Sequence, residues 1–262
     1  MINYPNIDPI ILSIGPIAIR WYSMAYLVGL LGGFKLIKSQ LIEKLQFTED
    51  SIWELISTTM VGVLLGGRLG YVLFYNASFY FQNPLKIMAI WEGGMSYHGG
   101  AIGAAVGFMC FAKTHKKNPL ILLDLLGFGS TLGLGLGRLA NFINGELYGR
   151  VTTVPWAMVF PNGGPLARHP SQLYEAFLEG LILFLGLFFL KKKVTLKPGL
   201  LFSAYLLGYG SFRFLIEFSR EPDVQLGVIF KWVTMGQLLS LSMIIMGLSL
   251  GWLVTKNKIS EN

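Results

Sequence analysis

Apolar residues are concentrated in seven long stretches of this 262-residue chain. A bilayer has a hydrocarbon core about 30 Å thick, and a helix needs roughly 20 apolar residues to cross it. Prolines, asparagines and charged residues fall mainly between the stretches, where loops are expected. The pattern therefore predicts an all-α integral membrane protein with seven transmembrane helices. The predicted spans lie near residues 16–37, 52–75, 96–112, 119–138, 172–190, 199–218 and 232–254.

Three of the stretches contain glycines at every fourth position, about one helical turn apart. Such a row forms a smooth face against which another helix can pack closely. Arg68 lies within the first row, His98 directly precedes the second and Arg138 directly follows the third. We expect close packing along the rows to bring these three polar residues together. The rows consist of Gly62, Gly66 and Gly70; Gly99, Gly103 and Gly107; and Gly129, Gly133 and Gly137.

The composition supports a membrane protein and excludes some kinds of site that depend on cysteine. Hydrophobic residues make up 53% of the chain and charged residues only 13%, whereas a typical soluble domain has about 25% charged residues. Cys110 is the single cysteine, which excludes an internal disulfide bond and a multi-cysteine metal site. It lies in the apolar stretch GAAVGFMCFA, so we expect it to be a small buried core residue.

The lysines predict the orientation of the chain in the membrane. Cytoplasmic loops of membrane proteins are enriched in basic residues. With the N-terminus outside, twelve of the 21 basic residues fall on the inner side, and all twelve are lysines. This distribution accounts for the net charge of +7 without nucleic-acid binding. We therefore predict a single membrane domain of residues 1–262 with a cytoplasmic C-terminus, and a small outer cap formed by residues 139–171 between spans four and five.

The seven arginines are distributed differently, because all lie within predicted spans or on the outer side. An arginine inside a span is costly unless it faces a polar cavity or a partner. Arg138 and Arg213 lie among asparagine, tyrosine and glutamate side chains, in GRLANFINGELYG and YGSFRFLIEFSREPD. Because the planar guanidinium group matches two phosphate oxygens at once, an anionic phospholipid head group is the expected ligand.

No metal centre is expected in this chain. The histidines are far apart in the sequence, and the acidic residues within the spans do not form a carboxylate-rich group. We expect Glu175 and Glu179, near the outer start of the fifth span, to be isolated. Arg213 and Glu217 are spaced i, i+4, which predicts an ion pair on one helix face. The three histidines are His98, His115 and His169.

The stretch GRLANFINGELYG, Gly137 to Gly149, resembles the signature of bacterial prolipoprotein diacylglyceryl transferases. The family pattern is Gly-Arg, a gap, a small residue, Asn-Phe, an apolar residue, Asn, a gap, Glu, a two-residue gap and Gly. Every defined position is met. Further similarity to the family lies in YHGG, RHPSQLYEA, RWYSMAYLVG and the run from Tyr209 to REPD, so that the resemblance covers Arg20 to about Asp223.

The resemblance implies a multi-pass enzyme of the bacterial cytoplasmic (inner) membrane, with its active site toward the outer leaflet. It would transfer the diacylglyceryl group of phosphatidylglycerol to the lipobox cysteine thiol that follows the signal peptide of a prolipoprotein. Glycerol phosphate would be released, and the thioether product would enter lipoprotein maturation. No cofactor or metal is implied, because the lipid supplies both the electrophilic carbon and the leaving group.

The resemblance also implies which residues form the site. We expect Arg138 and Arg213 to bind the phosphate and stabilise its growing charge. His98 is the candidate base for the thiol, because histidine titrates near neutral pH; in the competing account it only hydrogen-bonds the head group. Gly149 is expected to shape a turn. The candidate substrate-binding residues are Tyr26, Asn141, Asn144, Glu146, Gly149, Tyr209 and Glu217.

An anionic phospholipid transporter or flippase is the alternative function. Such a protein would also place arginines within its spans. It should show an internal repeat or matched broken helices in its two halves, and the sequence shows neither. A flippase would also move lipid without releasing glycerol phosphate, so the product of the reaction distinguishes the two functions.

Overall fold

The computed structural model shows a predominantly helical chain that divides into two units. One unit comprises residues 1–38 and 123–262, and the other comprises residues 39–122. The structure describes residues 2–15, 17–90, 93–193, 197–221, 228–229 and 233–256. The α-helices in this part are α1 Trp21–Leu45, α2 Glu49–Phe74, α3 Ala77–Gln82, α4 Tyr97–Thr114, α5 Pro119–Ile143, α6 Ser171–Glu175, α7 Leu183–Lys193, α8 Leu200–Ile216 and α9 Met235–Lys256. A 3-10 helix, Pro84–Met88, follows α3, and a π-helical segment, Ala176–Ile182, joins α6 to α7.

A helix lies at each of the seven apolar stretches, although several ends differ from the predicted ones. α1 begins at Trp21 because the preceding residues form a hairpin of β1, Ile10–Ile14, with β2, Ile17–Arg20. β-branched isoleucines favour strands over helices, and Gly15 supplies a positive φ of 58° between the two strands. A second hairpin, β3 Val228–Ile229 with β4 Val233–Thr234, precedes α9.

Five helical segments are long and apolar enough to cross a membrane. Two shorter apolar helices, Gly99–Thr114 and Leu200–Ile216, lie at the third and sixth predicted spans. Many leucine, phenylalanine and tryptophan side chains of these helices are exposed, as is expected where side chains face lipid. The chain is therefore an all-α, multi-pass membrane protein apart from the hairpins. The five long segments are Trp21–Glu43, Glu49–Phe74, Pro119–Ile143, Ser171–Lys192 and Met235–Lys256.

The unit of residues 39–122 is built on a close contact between α2 and α4. Gly62, Gly66 and Gly70 of α2 face Gly99 and Gly103 of α4, with no room for a Cβ atom on either side. Small residues permit this approach of two helix backbones. The first two glycine rows therefore pack against each other.

Arg68 of α2 stabilises a loop of this same unit. Its guanidinium group is buried and lies 5.0 Å from the centre of the Tyr80 ring. A buried arginine requires several hydrogen-bond acceptors, and backbone carbonyls supply them here. The acceptors are the carbonyl oxygens of Lys86, Ile87, Ala89, Gly93 and Gly94.

Cys110 is exposed on α4, so the prediction that it is a buried core residue is wrong. The buried residues of this part of α4 are Gly107, Phe108, Phe111 and Ala112. With 3.6 residues per turn, these four lie on one side of the helix and Cys110 lies away from them. The apolar stretch around Cys110 thus contributes one face to packing and leaves the cysteine on the other.

In the unit of residues 1–38 and 123–262, α5 packs closely against α1 and against the π-helical segment. A Cβ atom on Gly29 or Gly33 of α1 would meet Gly133 or Gly129 of α5, respectively. Gly180 of the π-helical segment would meet Gly135 in the same way. The third glycine row therefore serves packing within this unit.

Asp124 of α5 holds the start of α8. Its carboxylate is buried and accepts hydrogen bonds from the backbone N–H groups of Gly199 (2.8 Å) and Phe202 (2.6 Å). A carboxylate at this position satisfies unpaired N–H groups and interacts favourably with the helix dipole. The contact fixes the N-terminal end of α8 against α5. Arg213 lies about three turns further along α8, in its last turn.

The residues between α5 and α6, 144–170, lie within the stretch 139–171 that was predicted to form an outer cap, and they are called the cap here. They contribute to a small core. Phe142, Met158 and Phe160 are buried together, and the ring of Tyr4 packs against them. The Tyr4 hydroxyl donates to the carbonyls of Phe142 and Ile143, which end α5. The N-terminal segment thus closes one side of the cap.

Arg168 joins the remaining parts of the cap. Its Nη1 atom lies 3.0 Å from Glu221 Oε2, and its guanidinium group lies 4.9 Å from the centre of the Tyr148 ring. It also donates hydrogen bonds to the carbonyls of Gly149 and Gly163. The contacts of Arg168 therefore connect the cap to the chain that follows α8.

Candidate active site

Three arginines converge on one buried carboxylate, that of Glu175. Arg138 Nε lies 2.8 Å and Arg213 Nη1 lies 3.2 Å from Glu175 Oε2. Arg220 Nη1 lies 3.2 Å from each oxygen of the same carboxylate. The Glu175 side chain is fully buried, whereas Arg138 and Arg213 keep 20% and 15% of theirs exposed. The arrangement, named here the arginine cluster, combines a buried carboxylate with two arginine side chains that are partly exposed.

Three parts of the chain meet to form the arginine cluster. Arg138 lies near the end of α5, Glu175 ends α6, and Arg213 lies in the last turn of α8. The π-helical segment begins directly after Glu175, and such segments are frequent at functional sites. Since Gly135 and Gly180 let this segment approach α5 closely, Glu175 can reach Arg138.

The predicted ion pair of Arg213 with Glu217 is present. Arg213 Nη2 lies 2.9 Å from Glu217 Oε2, and Glu217 Oε1 accepts a hydrogen bond of 2.9 Å from the Thr234 hydroxyl. Thr234 and Gln237 exchange hydrogen bonds between side chain and backbone at the start of α9, as in a capping box. Glu217 therefore connects the arginine cluster to the start of α9.

The signature forms the end of α5 and the turn after it. Glu146 Oε1 accepts hydrogen bonds from the side-chain amides of Asn141 (2.9 Å) and Asn144 (3.2 Å). Ser171 and Gln172 of α6 donate to the backbone carbonyls of this turn, at Leu147 and Glu146. These bonds place the signature turn beside α6, whose last residue is Glu175. The structure thus brings three predicted site residues into one hydrogen-bonded group.

Gly149 lies where the cap meets the turn that follows α8. Its N–H group donates to the His169 carbonyl (2.8 Å), and it forms an antiparallel bridge with Arg220. A Cβ atom here would overlap the Ser219 carbonyl oxygen and crowd the His169 side chain. Only glycine permits this approach, so Gly149 allows the cap to pack against the turn that contains Arg220.

We expect Gly149→Ala to lower thermal stability and activity together, because the added methyl group displaces the Ser219 carbonyl. If the overlap costs about 2 kcal/mol, the midpoint of thermal unfolding falls by roughly 4–8 °C. Thermal unfolding of the purified protein in detergent measures the effect. Gly186→Ala on α7 is the matched control, since a Cβ atom there meets open space; equal midpoints for the two variants would contradict the assignment.

The remaining predicted residues lie on α1, α8 and α4. Tyr26 is exposed on α1, and its hydroxyl lies 3.0 Å from that of Tyr22. Tyr209 precedes Arg213 by one turn on α8. His98 lies in the first turn of α4, in the other unit, and its side chain is outside the described residues. Its position near the arginine cluster therefore stays a prediction.

His169 anchors the cap to α6. Its Nδ1 atom lies 3.1 Å from the Tyr174 hydroxyl, which accepts a hydrogen bond of 2.6 Å from the Trp156 indole. Since the Tyr174 hydroxyl accepts from Trp156, it can donate to an unprotonated Nδ1 of His169. Burial lowers the pKa of the His169 imidazole, which favours this neutral form.

The chain matches the family model described as prolipoprotein diacylglyceryl transferase over residues 9–253. It belongs to the prolipoprotein diacylglyceryl transferase family. Curated relatives in this family are named phosphatidylglycerol–prolipoprotein diacylglyceryl transferase. The relative from Geobacter sulfurreducens is 46% identical over 258 residues, covering 98% of this chain and 99% of its own length. The relative from Pseudoalteromonas translucida is 50% identical over 252 residues, covering 95% of this chain and 93% of its own length. A relative from Brucella anthropi is 47% identical over 260 residues, covering 95% of this chain and 92% of its own length.

Sequence reasoning missed two residues of the arginine cluster in this prolipoprotein diacylglyceryl transferase family member. The prediction that Glu175 and Glu179 are isolated is wrong, because Glu175 contacts three arginines and Glu179 Oε2 lies 3.8 Å from Arg138 Nε. Arg220, which lies in the polar run YGSFRFLIEFSREPD, is the other residue that was not assigned to the site. The signal for both was the placement of arginines beside an apolar span, since buried guanidinium groups require an anionic partner.

Proposed function

We propose that this chain transfers the diacylglyceryl group of phosphatidylglycerol to the cysteine thiol of a prolipoprotein lipobox, with release of glycerol phosphate. Family membership supports the reaction. The observation that carries its assignment to a site is the convergence of Arg138, Arg213 and Arg220 beside the signature turn. Guanidinium groups gathered in this way suit a phosphate that gains charge during a reaction.

The chemistry is a displacement at carbon. The cysteine sulfur forms a bond to the glycerol carbon that carries the phosphate ester, and the carbon–oxygen bond at that position breaks. The departing oxygen keeps the electron pair, so glycerol phosphate leaves with one more negative charge than the diester had. The thiol proton passes to a base before or during attack, because the thiolate is the nucleophile.

Arg138 and Arg213 are proposed to bind the phosphate and to stabilise the charge that develops on it. Both are held from one side by Glu175 and are partly exposed, which leaves their accessible parts for a ligand. Stabilisation of developing charge by prearranged donors is usually the largest contribution to catalysis. His98 is proposed as the base that takes the thiol proton.

The other site residues are proposed to orient the lipid. Asn141 and Asn144 hold the Glu146 carboxylate by hydrogen bonds. Glu146 remains exposed, so its carboxylate can accept a hydrogen bond from a glycerol hydroxyl. Tyr26 and Tyr209 offer hydroxyl groups for the glycerol or the ester carbonyls. Glu217 orients Arg213 through their ion pair.

A purified assay tests the function against the flippase alternative. The protein is reconstituted in nanodiscs with phosphatidylglycerol and a peptide containing a lipobox cysteine. Two quantities are measured: the glycerol phosphate that is released and the increase in mass of the peptide. We expect both products in equal amounts, and none with the peptide in which serine replaces the cysteine. Movement of lipid between leaflets without glycerol phosphate would instead support a flippase.

We also propose that all seven apolar helices cross the inner membrane, with the N-terminus and the cap outside. The lysine distribution supports this orientation. In a Cys110→Ser background, Thr153→Cys in the cap should react with a membrane-impermeant maleimide in intact spheroplasts. Lys192→Cys should react only after lysis. The reverse labelling pattern would overturn the orientation.

A further inference from the structure

Glu175 has no role in the displacement as proposed, yet it is the centre of the arginine cluster. Its side chain is fully buried, and no other carboxylate among the described residues contacts three arginines. The three guanidinium groups come from α5, from α8 and from the turn beyond α8. A single carboxylate thus sets the relative positions of groups that lie between 37 and 45 residues away in sequence.

We propose that Glu175 is a positioning residue, which holds Arg138, Arg213 and Arg220 as one anion-binding cluster, and that Arg220 is its third arginine. The inference rests on the proposed function, because it assigns the cluster to the lipid phosphate. Glu175 acts through the arginines and does not contact the reacting atoms. In the absence of lipid its carboxylate is the anion that the three guanidinium groups share.

The geometry supports positioning over simple charge neutralisation. Glu175 Oε2 lies within 3.2 Å of nitrogen atoms from Arg138 and Arg213, and Arg220 Nη1 reaches both carboxylate oxygens. Each contact holds one nitrogen of a long, flexible side chain. Because the guanidinium group is planar, holding one nitrogen restricts the directions of its remaining donors.

Glu179 provides an internal comparison, because it carries the same chemical group without the same contacts. It is fully buried and lies four residues after Glu175, and its Oε2 atom lies 3.8 Å from Arg138 Nε. Neither of its carboxylate oxygens has a hydrogen-bond partner among the described residues. Among the described residues, Glu175 therefore accepts hydrogen bonds from the arginines and Glu179 does not.

Glu175→Gln separates positioning from charge, because glutamine has nearly the same size but no negative charge. Removing a negative charge beside the arginines does not weaken attraction for a lipid anion, so KM for phosphatidylglycerol should not rise. Glutamine keeps one acceptor oxygen but places an NH2 donor where the second oxygen was, so it cannot hold all three guanidinium groups, and their donors no longer point at the developing charge. We expect kcat to fall about 100-fold, the size seen when one prearranged donor is lost.

Asp124→Asn is the matched control for removal of a buried carboxylate in the same unit. Asp124 contacts the backbone of α8 and not the arginine cluster, so this variant should lower thermal stability with kcat per folded protein unchanged. Glu175→Asp keeps the charge but retracts it by one methylene group, and we expect an intermediate kcat with KM unchanged. If the Glu175→Gln protein does not fold, the kcat of Glu175→Asp tests the positioning role instead.

The outcomes of these measurements separate the two proposals. If the unaltered protein releases glycerol phosphate and Glu175→Gln or Glu175→Asp keeps its kcat, the positioning role is overturned while the proposed function stands. A rise in KM with kcat unchanged would likewise overturn it, since Glu175 would then support binding alone. If the unaltered protein releases no glycerol phosphate, the proposed function fails, and with it the assignment of the cluster to a lipid phosphate.

Discussion

Replacing either Arg138 or Arg213 with lysine is expected to lower kcat/KM for phosphatidylglycerol about 1,000-fold. Lysine keeps the positive charge but has a single ammonium group. It cannot contact Glu175 along one edge and a phosphate along another, as the planar guanidinium group can. Steady-state release of glycerol phosphate by the purified variants in nanodiscs measures the effect.

Arg20→Lys is the control for this pair of substitutions. Arg20 ends β2 and is exposed, away from any contact with Glu175 that the structure describes. It should keep nearly normal kcat/KM. Rates near normal for both Arg138→Lys and Arg213→Lys would remove the phosphate-binding assignment, whereas loss in the control as well would indicate a general sensitivity to arginine replacement.

His98→Asn is expected to lower kcat about 1,000-fold, within the range typical for loss of a general base. Asparagine can still donate a hydrogen bond to a lipid head group, but it cannot take a proton from the cysteine thiol. The substitution therefore distinguishes the base from a residue that only binds the head group. Turnover of the lipobox peptide at saturating phosphatidylglycerol measures it.

The pH dependence of His98→Asn provides the sharper test. Without a base the reaction depends on the spontaneously ionised thiol, whose ordinary pKa is about 8.5. The residual rate should therefore rise about tenfold per pH unit below that value, while the unaltered protein should show a weaker dependence near neutrality. A His98→Asn protein with an unchanged pH profile and a rate within threefold of normal would contradict the role of base. His115→Asn, at the other end of α4, is the control and should leave the rate unchanged.

The helices were predictable because the signal for them is local. Each apolar stretch is long enough to form its own backbone hydrogen bonds in lipid, whatever it packs against. The ends were less predictable, as at Ile17–Arg20, where residues of apolar character form a strand before α1. The helix α5 continues to Ile143, beyond the predicted end at residue 138. Hydropathy places the end at 138 because polar signature residues follow, but the first of those residues are still helical.

The site was predictable in part. Arg138, Asn141, Asn144 and Glu146 lie within ten residues of one another, so the signature contains them all. The hydrogen bonds that Asn141 and Asn144 donate to Glu146 are local contacts, spanning five residues or fewer. The pair of Arg213 with Glu217 followed from helical spacing in the same way.

The sequence by itself determined that the chain is helical, apolar enough for a membrane and marked by a transferase signature, because each property depends on neighbouring residues. Only the tertiary structure decided that Glu175 is the common partner of Arg138, Arg213 and Arg220. Glu175 lies between 37 and 45 positions from the three arginines, and their contact depends on how α5, α6 and α8 pack. A carboxylate that looks isolated along the chain can therefore be the shared partner of three arginines in the folded protein.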